Sequence, residues 1–209
     1  MQHIPIRKNW KGRDKVIRYA DECAYTVGWA TVAWTLSSIT PVLSGGTVPR
    51  GSCPGSGSGD ISEGGTSHWV ASQYPMMILR GGMAPYYQRL TFWGFRSISN
   101  PATDFIRVGV DTATSNYYQM QCGSGGSVTT KTTSWNETSE YNSRMRIAVS
   151  PSKVKFEIWP DARWATDVMT DEITTNITTD VMERCIWVQS YIPPPMFVKL
   201  DYMDLVAMK

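Results

Sequence analysis

The chain has 209 residues, 42% hydrophobic and 18% charged, so it has enough apolar surface for a packed core and too few charges for a disordered chain. Its formal net charge of +2 is too small to predict a partner of either sign. No apolar run approaches the roughly 18 residues of a transmembrane helix, and the polar N-terminus has no secretory-signal pattern. We therefore expect a chain that is made in the cytoplasm and has no membrane partner.

Residues 1–20 predict an extended, basic N-terminal arm. Six basic side chains and one acid lie between Arg7 and Arg18. The arm also contains a tryptophan, a residue that often anchors protein interfaces. We assign it to assembly with a neighbouring subunit, through Arg7, Lys8, Trp10, Lys11, Arg13, Lys15 and Arg18. Six charges neutralise only a few phosphates, which gives little support to nucleic-acid binding, and a solvated tail explains the segment equally well.

The segment after the arm predicts a strand followed by a long loop. Val, Trp, Thr and Tyr dominate residues 25–39 and alternate with small or hydroxylated side chains, as in a half-buried strand. Residues 44–66 contain eight Gly and five Ser, which favours one long flexible loop. About 40 residues precede this loop, too few for a separate core, so we place it inside a domain.

Beyond His68, short apolar runs separated by turn residues predict a series of strands. The strongest signal is a hairpin over Arg144–Trp159, where period-two apolar patterning lies on both sides of a Ser-Pro-Ser-Lys turn. The remaining predicted strands are Met76–Arg80, Leu90–Ile98, Phe105–Val110, Tyr117–Cys122 and Phe197–Met208.

Helical periodicity is not sustained anywhere in the sequence. The nearest stretch, Asp167–Trp187, has a Thr-rich middle that disfavours a helix. Many short strands separated by turns predict an all-β fold, an antiparallel two-sheet jelly-roll sandwich over residues 21–209 with the arm 1–20 extended from it.

An acidic segment balances the basic arm. Five acids and no base lie between residues 167 and 183, and they are Asp167, Asp171, Glu172, Asp180 and Glu183. We expect this segment to be the docking surface for the arm of a neighbouring copy. A solvated loop is an equally good interpretation.

The four cysteines, Cys23, Cys53, Cys122 and Cys185, form no C-x-x-C pair, so the sequence predicts no zinc site. Their spacing does not decide between disulfide pairings, and reduced thiols are the default for a cytosolic product. We expect no metal and no cofactor.

Three elements of the second half carry a resemblance to a known family. The strand Asp104–Asp111, the hairpin strands Met145–Val149 and Val154–Ile158, and the closing strand Val198–Val206 together resemble the concanavalin A-like lectin/glucanase jelly rolls, especially those of phage and other viral structural proteins. The resemblance covers about residues 25–209. It implies two antiparallel sheets with a concave face, and a role on a virion as a decoration, fibre or capsid-associated protein.

Catalysis has little support in the sequence. The glucanase branch of that family carries a Glu-x-Asp-x-x-Glu strand, which is absent here. Asp201 and Asp204 fall on opposite faces of a strand, and Pro160 interrupts the ladder between Glu157 and Asp161. We therefore predict no catalytic residues.

Carbohydrate binding has better support, because aromatic side chains in or beside predicted loops can stack on sugar rings. Packing at the edge of the core is the competing interpretation for each of them. The candidates are Trp69, Tyr86, Tyr87, Trp135 and Tyr141, whereas Trp29, Trp34, Trp159 and Trp187 lie in strand-like segments and are assigned to the core.

These observations lead to three ranked hypotheses. The first is a non-enzymatic viral structural protein, a virion-surface decoration or capsid-associated protein whose partners are other copies of itself and capsid proteins. The second is a carbohydrate-binding module for host attachment, with a glycan as its partner. The third, more distant, is a glycoside hydrolase or lyase.

Overall fold

The structure is a computed structural model of the chain. It describes the backbone of residues 16–22, 35–37, 40–44, 48–53, 57–62, 69–83, 90–111, 115–136, 143–159, 168–190 and 196–208. Side chains are described within residues 69–79, 90–111, 117–134, 143–159 and 168–187, and at Ala207.

The described residues form fifteen strands. In chain order the strands are β1 (Val16–Glu22), β2 (Thr35–Ser37), β3 (Thr40–Ser44), β4 (Val48–Cys53), β5 (Gly57–Ser62), β6 (Met76–Met83), β7 (Leu90–Ser97), β8 (Phe105–Asp111), β9 (Ser115–Ser124), β10 (Ser127–Asn136), β11 (Ser143–Val149), β12 (Val154–Trp159), β13 (Met169–Ile173), β14 (Met182–Ser190) and β15 (Met196–Met208).

These strands build two antiparallel sheets. Sheet A has the order β13-β12-β11-β6-β15-β4-β3, and β1 pairs with β15. Sheet B has the order β10-β9-β8-β7-β14-β5-β2. The only helix in the described ranges is the 3-10 turn Ala71–Gln73, and none there is long and apolar enough to cross a membrane. The predicted all-β, two-sheet sandwich is confirmed.

The core lies between the two sheets and follows the period-two alternation of the sequence. Met145 and Ile147 of β11 and Phe156 of β12 are buried from the side of sheet A, and Trp93 and Ile106 are buried from sheet B. The predicted hairpin is confirmed, because β11 pairs with β12 from Arg144↔Trp159 to Val149↔Val154.

Polar contacts also join the sheets. The buried Tyr118 hydroxyl of β9 donates to Ser143 Oγ of β11 at 2.8 Å. Between the edge strands β10 of sheet B and β13 of sheet A, Lys131 Nζ binds Asp171 Oδ1 at 2.5 Å. The sandwich is therefore fixed in register by directional contacts as well as by apolar packing.

The turn between β7 and β8 is held against the segment that precedes β14. Ser97 Oγ and Asn100 Nδ2 donate to Asp180 Oδ2 at 2.7 and 3.0 Å. These two hydrogen bonds lower the pKa of the Asp180 carboxyl. The buried carboxylate of Asp104 accepts a hydrogen bond from the Gly125 backbone N–H at 3.0 Å, which ties the β9–β10 turn to the same end of the sandwich.

The glycine-rich stretches differ from the predictions. Residues 44–66 were expected to form one long loop, yet β4 pairs there with β15 and β3, and β5 pairs with β14 and β2. The predicted strand Met76–Arg80 continues through two glycines to Met83, between β11 and β15. Backbone hydrogen bonds to a partner on each side need no side chains, so composition alone did not reveal these strands.

The predicted arm also ends earlier than expected. Residues 16–20 lie in β1, which pairs with β15 of the same chain from Val16↔Met208 to Glu22↔Tyr202. Arg18 is therefore part of a sheet, opposite Val206. The other predicted arm residues, Arg7, Lys8, Trp10, Lys11, Arg13 and Lys15, lie outside the described residues.

Candidate functional site

The outer face of sheet B carries a second, smaller apolar layer. Ile106 and Ile186 belong to the core, so the alternate residues of the same strands face away from it. Among these, Phe105 of β8 and Trp187 of β14 make an edge-to-face contact with their ring centroids 6.4 Å apart. Phe92 of β7 is fully buried although it is outside the core cluster.

Glycines on this face leave room for their large cross-strand neighbours. Gly94 pairs with Arg107, and Gly109 pairs with Phe92. A Cβ at Gly109 would lie 2.9 Å from Phe92 Cδ1 and 2.0 Å from the Thr91 carbonyl oxygen. A Cβ at Gly94 would lie 3.0 Å from Arg107 Cβ. No larger residue fits at either position with the strands this close. The two glycines therefore leave the space on the outer face of sheet B that Phe92 and Arg107 occupy.

Arg107 lies at the centre of this layer. Its guanidinium carbon is 3.9 Å from the centroid of the Phe105 ring, 4.4 Å from that of Phe92 and 5.3 Å from that of Trp187. Arg107 Nε donates to Gln121 Oε1 at 2.8 Å. Burial lowers the pKa of the Arg107 guanidinium to about 10, which still leaves it charged at neutral pH.

Two glutamines of β9 continue the polar cluster beside Arg107, with Gln121 partly exposed and Gln119 buried. Gln121 Nε2 donates to Gln119 Oε1 at 2.9 Å, and both residues alternate with the core residues Met120 and Cys122. The face therefore places the partly exposed amide of Gln121 and a cation directly beside aromatic rings.

The described carboxylates on this face are far apart. Glu183 pairs with Arg96, and their side chains form an ion pair at 2.8 Å. Asp111 pairs with Leu90, six residues along β7 from Arg96, which corresponds to about 20 Å of strand. The acid pairs of glycosidases are about 5–9.5 Å apart. Glu183 and Asp111 therefore do not form such a pair.

Exposed apolar side chains surround the same face. Tyr117 of β9 and Val128 of β10 are exposed, and Ile98 and Val181 are exposed where β7 ends and β14 begins. The Ile98 backbone N–H donates to the Val181 carbonyl at 3.0 Å, so these two side chains come from neighbouring strands. Exposed aromatic and aliphatic groups beside a polar cluster are typical of a binding surface.

The predicted stacking residues are not the residues that form this face. Trp69 is only 4% exposed and belongs to the core, because its backbone pairs with Met182. This corrects its assignment as an exposed stacking residue. Trp135 is in β10 with its side chain outside the described part, and Tyr86, Tyr87 and Tyr141 lie outside the described residues.

Two predicted core tryptophans have different positions. Trp159 is buried, on the outer side of sheet A, where Arg146 lies over its ring at 5.8 Å. Trp187 is half-buried on the outer face of sheet B, within the candidate site instead of the core. Trp29 and Trp34 lie outside the described residues.

The described acids of the acidic segment each have a partner within the chain, and their docking role stays a prediction. Asp171 binds Lys131, Glu172 binds Lys153 at 3.1 Å, Asp180 accepts hydrogen bonds from the β7–β8 turn, and Glu183 binds Arg96. Asp167 lies outside the described residues. The bases paired with Asp171, Glu172 and Glu183 lie outside the segment in sequence, so a local count of charges does not include them.

The described residues supply no metal centre. No group of three His, Cys, Asp or Glu side chains within the described ranges is placed to hold a metal ion. Cys122 and Cys185 are buried and not in a disulfide. Burial raises the pKa of the Cys122 thiol to about 12 and also raises the pKa of Cys185, so neither is a reactive thiolate at neutral pH.

No family model matches the chain, and no curated protein matches it in sequence. Solved structures do match. The peanut lectin bound to a nine-residue peptide is 9% identical with a TM-score of 0.66, over 92% of this chain and 97% of that one. The basic winged bean lectin with Tn-antigen is 10% identical with a TM-score of 0.66, over 92% and 98% of the two chains.

The fold is the concanavalin A-like jelly roll. The β-glucanase of Bacillus licheniformis shares it, with 11% identity and a TM-score of 0.59 over 92% of this chain and 98% of that one. At such identities the similarity establishes the fold alone. The concanavalin A-like architecture inferred from the strand pattern is therefore confirmed.

Arg107, Gln119 and Gln121 were not among the predicted site residues. The alternation of Phe105–Val110 already separated Arg107 and Gly109 from the core face. The sequence does not show which residues of neighbouring strands lie opposite these two. The structure pairs Arg107 with Gln121 and Gly109 with Phe92. The signal in the sequence was a charged residue between two buried β-branched neighbours.

Proposed function

We propose that this protein binds a glycan, without catalysis, on the outer face of sheet B. The observation that carries the proposal is the cluster in which Arg107 lies among three aromatic rings and is hydrogen-bonded to Gln121. Sugars present apolar ring faces and hydroxyl groups, which aromatic rings and side-chain amides are suited to bind. The half-buried ring of Trp187 supplies the stacking surface.

The comparisons support this proposal through the fold that the chain shares with lectins. The basic winged bean lectin was solved with the Tn-antigen. The likeness to a β-glucanase makes hydrolysis the alternative activity. The two carboxylates whose side chains the structure describes on this face, Glu183 and Asp111, are about 20 Å apart along the strands, so this pair gives no support to glycoside hydrolysis.

A glycan array with the purified protein tests the proposal. Gln121→Ala and Trp187→Ala should each lose binding at least tenfold, because the first removes an amide and the second a stacking ring. Lys155→Ala, on the outer side of sheet A, is the matched control and should bind like the wild type. Absence of binding to every glycan by a folded protein, or release of shorter sugars detected by mass spectrometry, contradicts the proposal.

A second candidate function is assembly on a virion, as a surface decoration or capsid-associated protein that contacts copies of itself and capsid proteins. The strand pattern that resembles phage structural proteins supports it, and so do the exposed side chains of Ile98, Val128 and Val181. Light scattering after size exclusion should show an oligomer that Ile98→Asp dissociates. A wild-type monomer that also fails to bind particles would count against this role.

A further inference from the structure

Arg107 forms no ion pair with any carboxylate whose side chain the structure describes, although the charge of Asp111 acts on it from a distance and raises its pKa. Its Nε is bound to a neutral amide, and three aromatic rings lie around its guanidinium group. Within the described part of the chain, no carboxylate lies within 4 Å of its guanidinium. Asp111 is four residues further along β8, which corresponds to about 13 Å of strand. The other arginine of this face, Arg96, is already neutralised by Glu183.

The guanidinium of Arg107 retains donors for a ligand. Arginine has five N–H donors, and only the one on Nε is used in the contacts described above. The residue is only partly exposed, so its guanidinium group has lost part of its hydration. A partly desolvated cation is stabilised strongly by an anion, and the lowered pKa of Arg107 reflects the same desolvation.

The orientation of the Arg107 guanidinium group is fixed by its neighbours. The rings of Phe92, Phe105 and Trp187 lie within 5.3 Å of the guanidinium carbon, and the Gln121 amide holds Nε. A guanidinium held in this way is pre-organised for a bidentate contact with an oxyanion, which a flexible lysine ammonium does not reproduce.

We propose that the ligand of this face is an acidic glycan, whose carboxylate or sulfate group binds the Nη groups of Arg107 while a neighbouring sugar ring contacts Trp187. This inference rests on the proposed function and adds the chemical class of its ligand. The amide of Gln121, which is partly exposed beside Arg107, binds a hydroxyl group of the same chain of sugars.

Binding to matched acidic and neutral glycans tests the inference. The pairs are oligogalacturonate and its methyl ester, sialyllactose and lactose, and a sulfated galactan before and after desulfation. The acidic member of at least one pair should bind at least tenfold more tightly than the neutral one, and this preference should weaken as salt rises. Which pair responds distinguishes a carboxylate from a sulfate ligand.

Variants assign the preference to Arg107. Arg107→Gln should abolish it, and Arg107→Lys, which keeps the charge but not the fork, should restore only part of it. The matched control is Arg146→Gln. Arg146 also lies over an aromatic ring, Trp159, but is paired with Glu157, so its loss should leave the preference unchanged. Thermal melting of each variant checks that it is folded.

The outcomes separate this inference from the proposed function. Equal binding of acidic and neutral glycans that depends on Trp187 overturns the acidic-ligand inference and leaves glycan binding in place. An acidic preference that survives in folded Arg107→Gln overturns the assignment to Arg107. Absence of binding to all six probes and to the array by a folded protein overturns both proposals.

Discussion

Gly109→Ala is expected to be among the more damaging single-methyl additions to sheet B. The added Cβ would lie 2.0 Å from the Thr91 carbonyl oxygen and 2.7 Å from Phe92 Cα, whereas real Cβ contacts are not shorter than 3.0 Å. Both neighbours are backbone atoms, so β7 and β8 must separate by about 1 Å for the methyl to fit. Overpacking of this kind costs about 3 kcal/mol at the upper end of its usual range.

For a protein of this length, about 3 kcal/mol corresponds to a decrease in Tm of roughly 6–12 °C. Gly125→Ala is the control, because nothing lies within 4 Å of its added Cβ and only the positive φ of +58° is unfavourable. That strain costs about 1–2 kcal/mol. Urea unfolding followed by tryptophan fluorescence compares the two. If Gly109→Ala loses no more stability than Gly125→Ala, the close approach of β7 and β8 is refuted.

Three further predictions concern stability and thiol chemistry. Asp180→Asn should lower the free energy of unfolding at pH 7 but not at pH 2, because the folded pKa of this carboxyl is depressed and its contribution, present above about pH 4, is lost as pH falls through that pKa. Tyr118→Phe should destabilise by about 1 kcal/mol in urea unfolding, since it removes the buried hydrogen bond to Ser143. Cys122 and Cys185 should resist iodoacetamide at pH 8 in the folded protein and react once it is unfolded, as read by peptide mass spectrometry.

Each of these predictions has a contrary result. Parallel pH profiles of wild type and Asp180→Asn down to pH 2 would show that the carboxylate contributes nothing specific. Unchanged stability of Tyr118→Phe would show that the hydrogen bond between Tyr118 and Ser143 does not stabilise the protein. Rapid native labelling of Cys122 would contradict its burial.

After residue 104 the sequence predicted β8, β9, β11, β12 and β15 from their alternation, but not β10, β13 and β14. In β11 and β12 every second residue is apolar, and the structure buries those residues, as in Met145, Ile147 and Phe156. Where the prediction was based on amino-acid composition instead of alternation, as in residues 44–66, it differed from the structure. The glycine-rich β4 and β5 are held by backbone pairing to β15 and β14, which leaves no pattern in the side chains.

The candidate site was less predictable than the fold. Aromatic residues beside loops were expected to stack on sugar rings, but Trp69 is buried in the core, and its backbone pairs with Met182. The residues of the outer face come from separate strands, and their proximity depends on register. Arg107 lies beside Gln121 and Gly94 because of the register in which β8 pairs with β9 and β7. A shift of two residues would keep the same alternation of buried and outward side chains but would give Arg107 other neighbours.

The central position of β15 in sheet A has a consequence for biosynthesis. Val16 of β1 pairs with Met208 of β15, a separation of 192 residues (208 − 16). At a translation rate of 5–20 residues per second, roughly 10–40 s pass between the synthesis of β1 and the synthesis of its partner strand β15. Throughout that interval an unpaired strand is exposed to other nascent chains. We therefore expect slow, largely post-translational completion of sheet A and a yield that improves with chaperone supply.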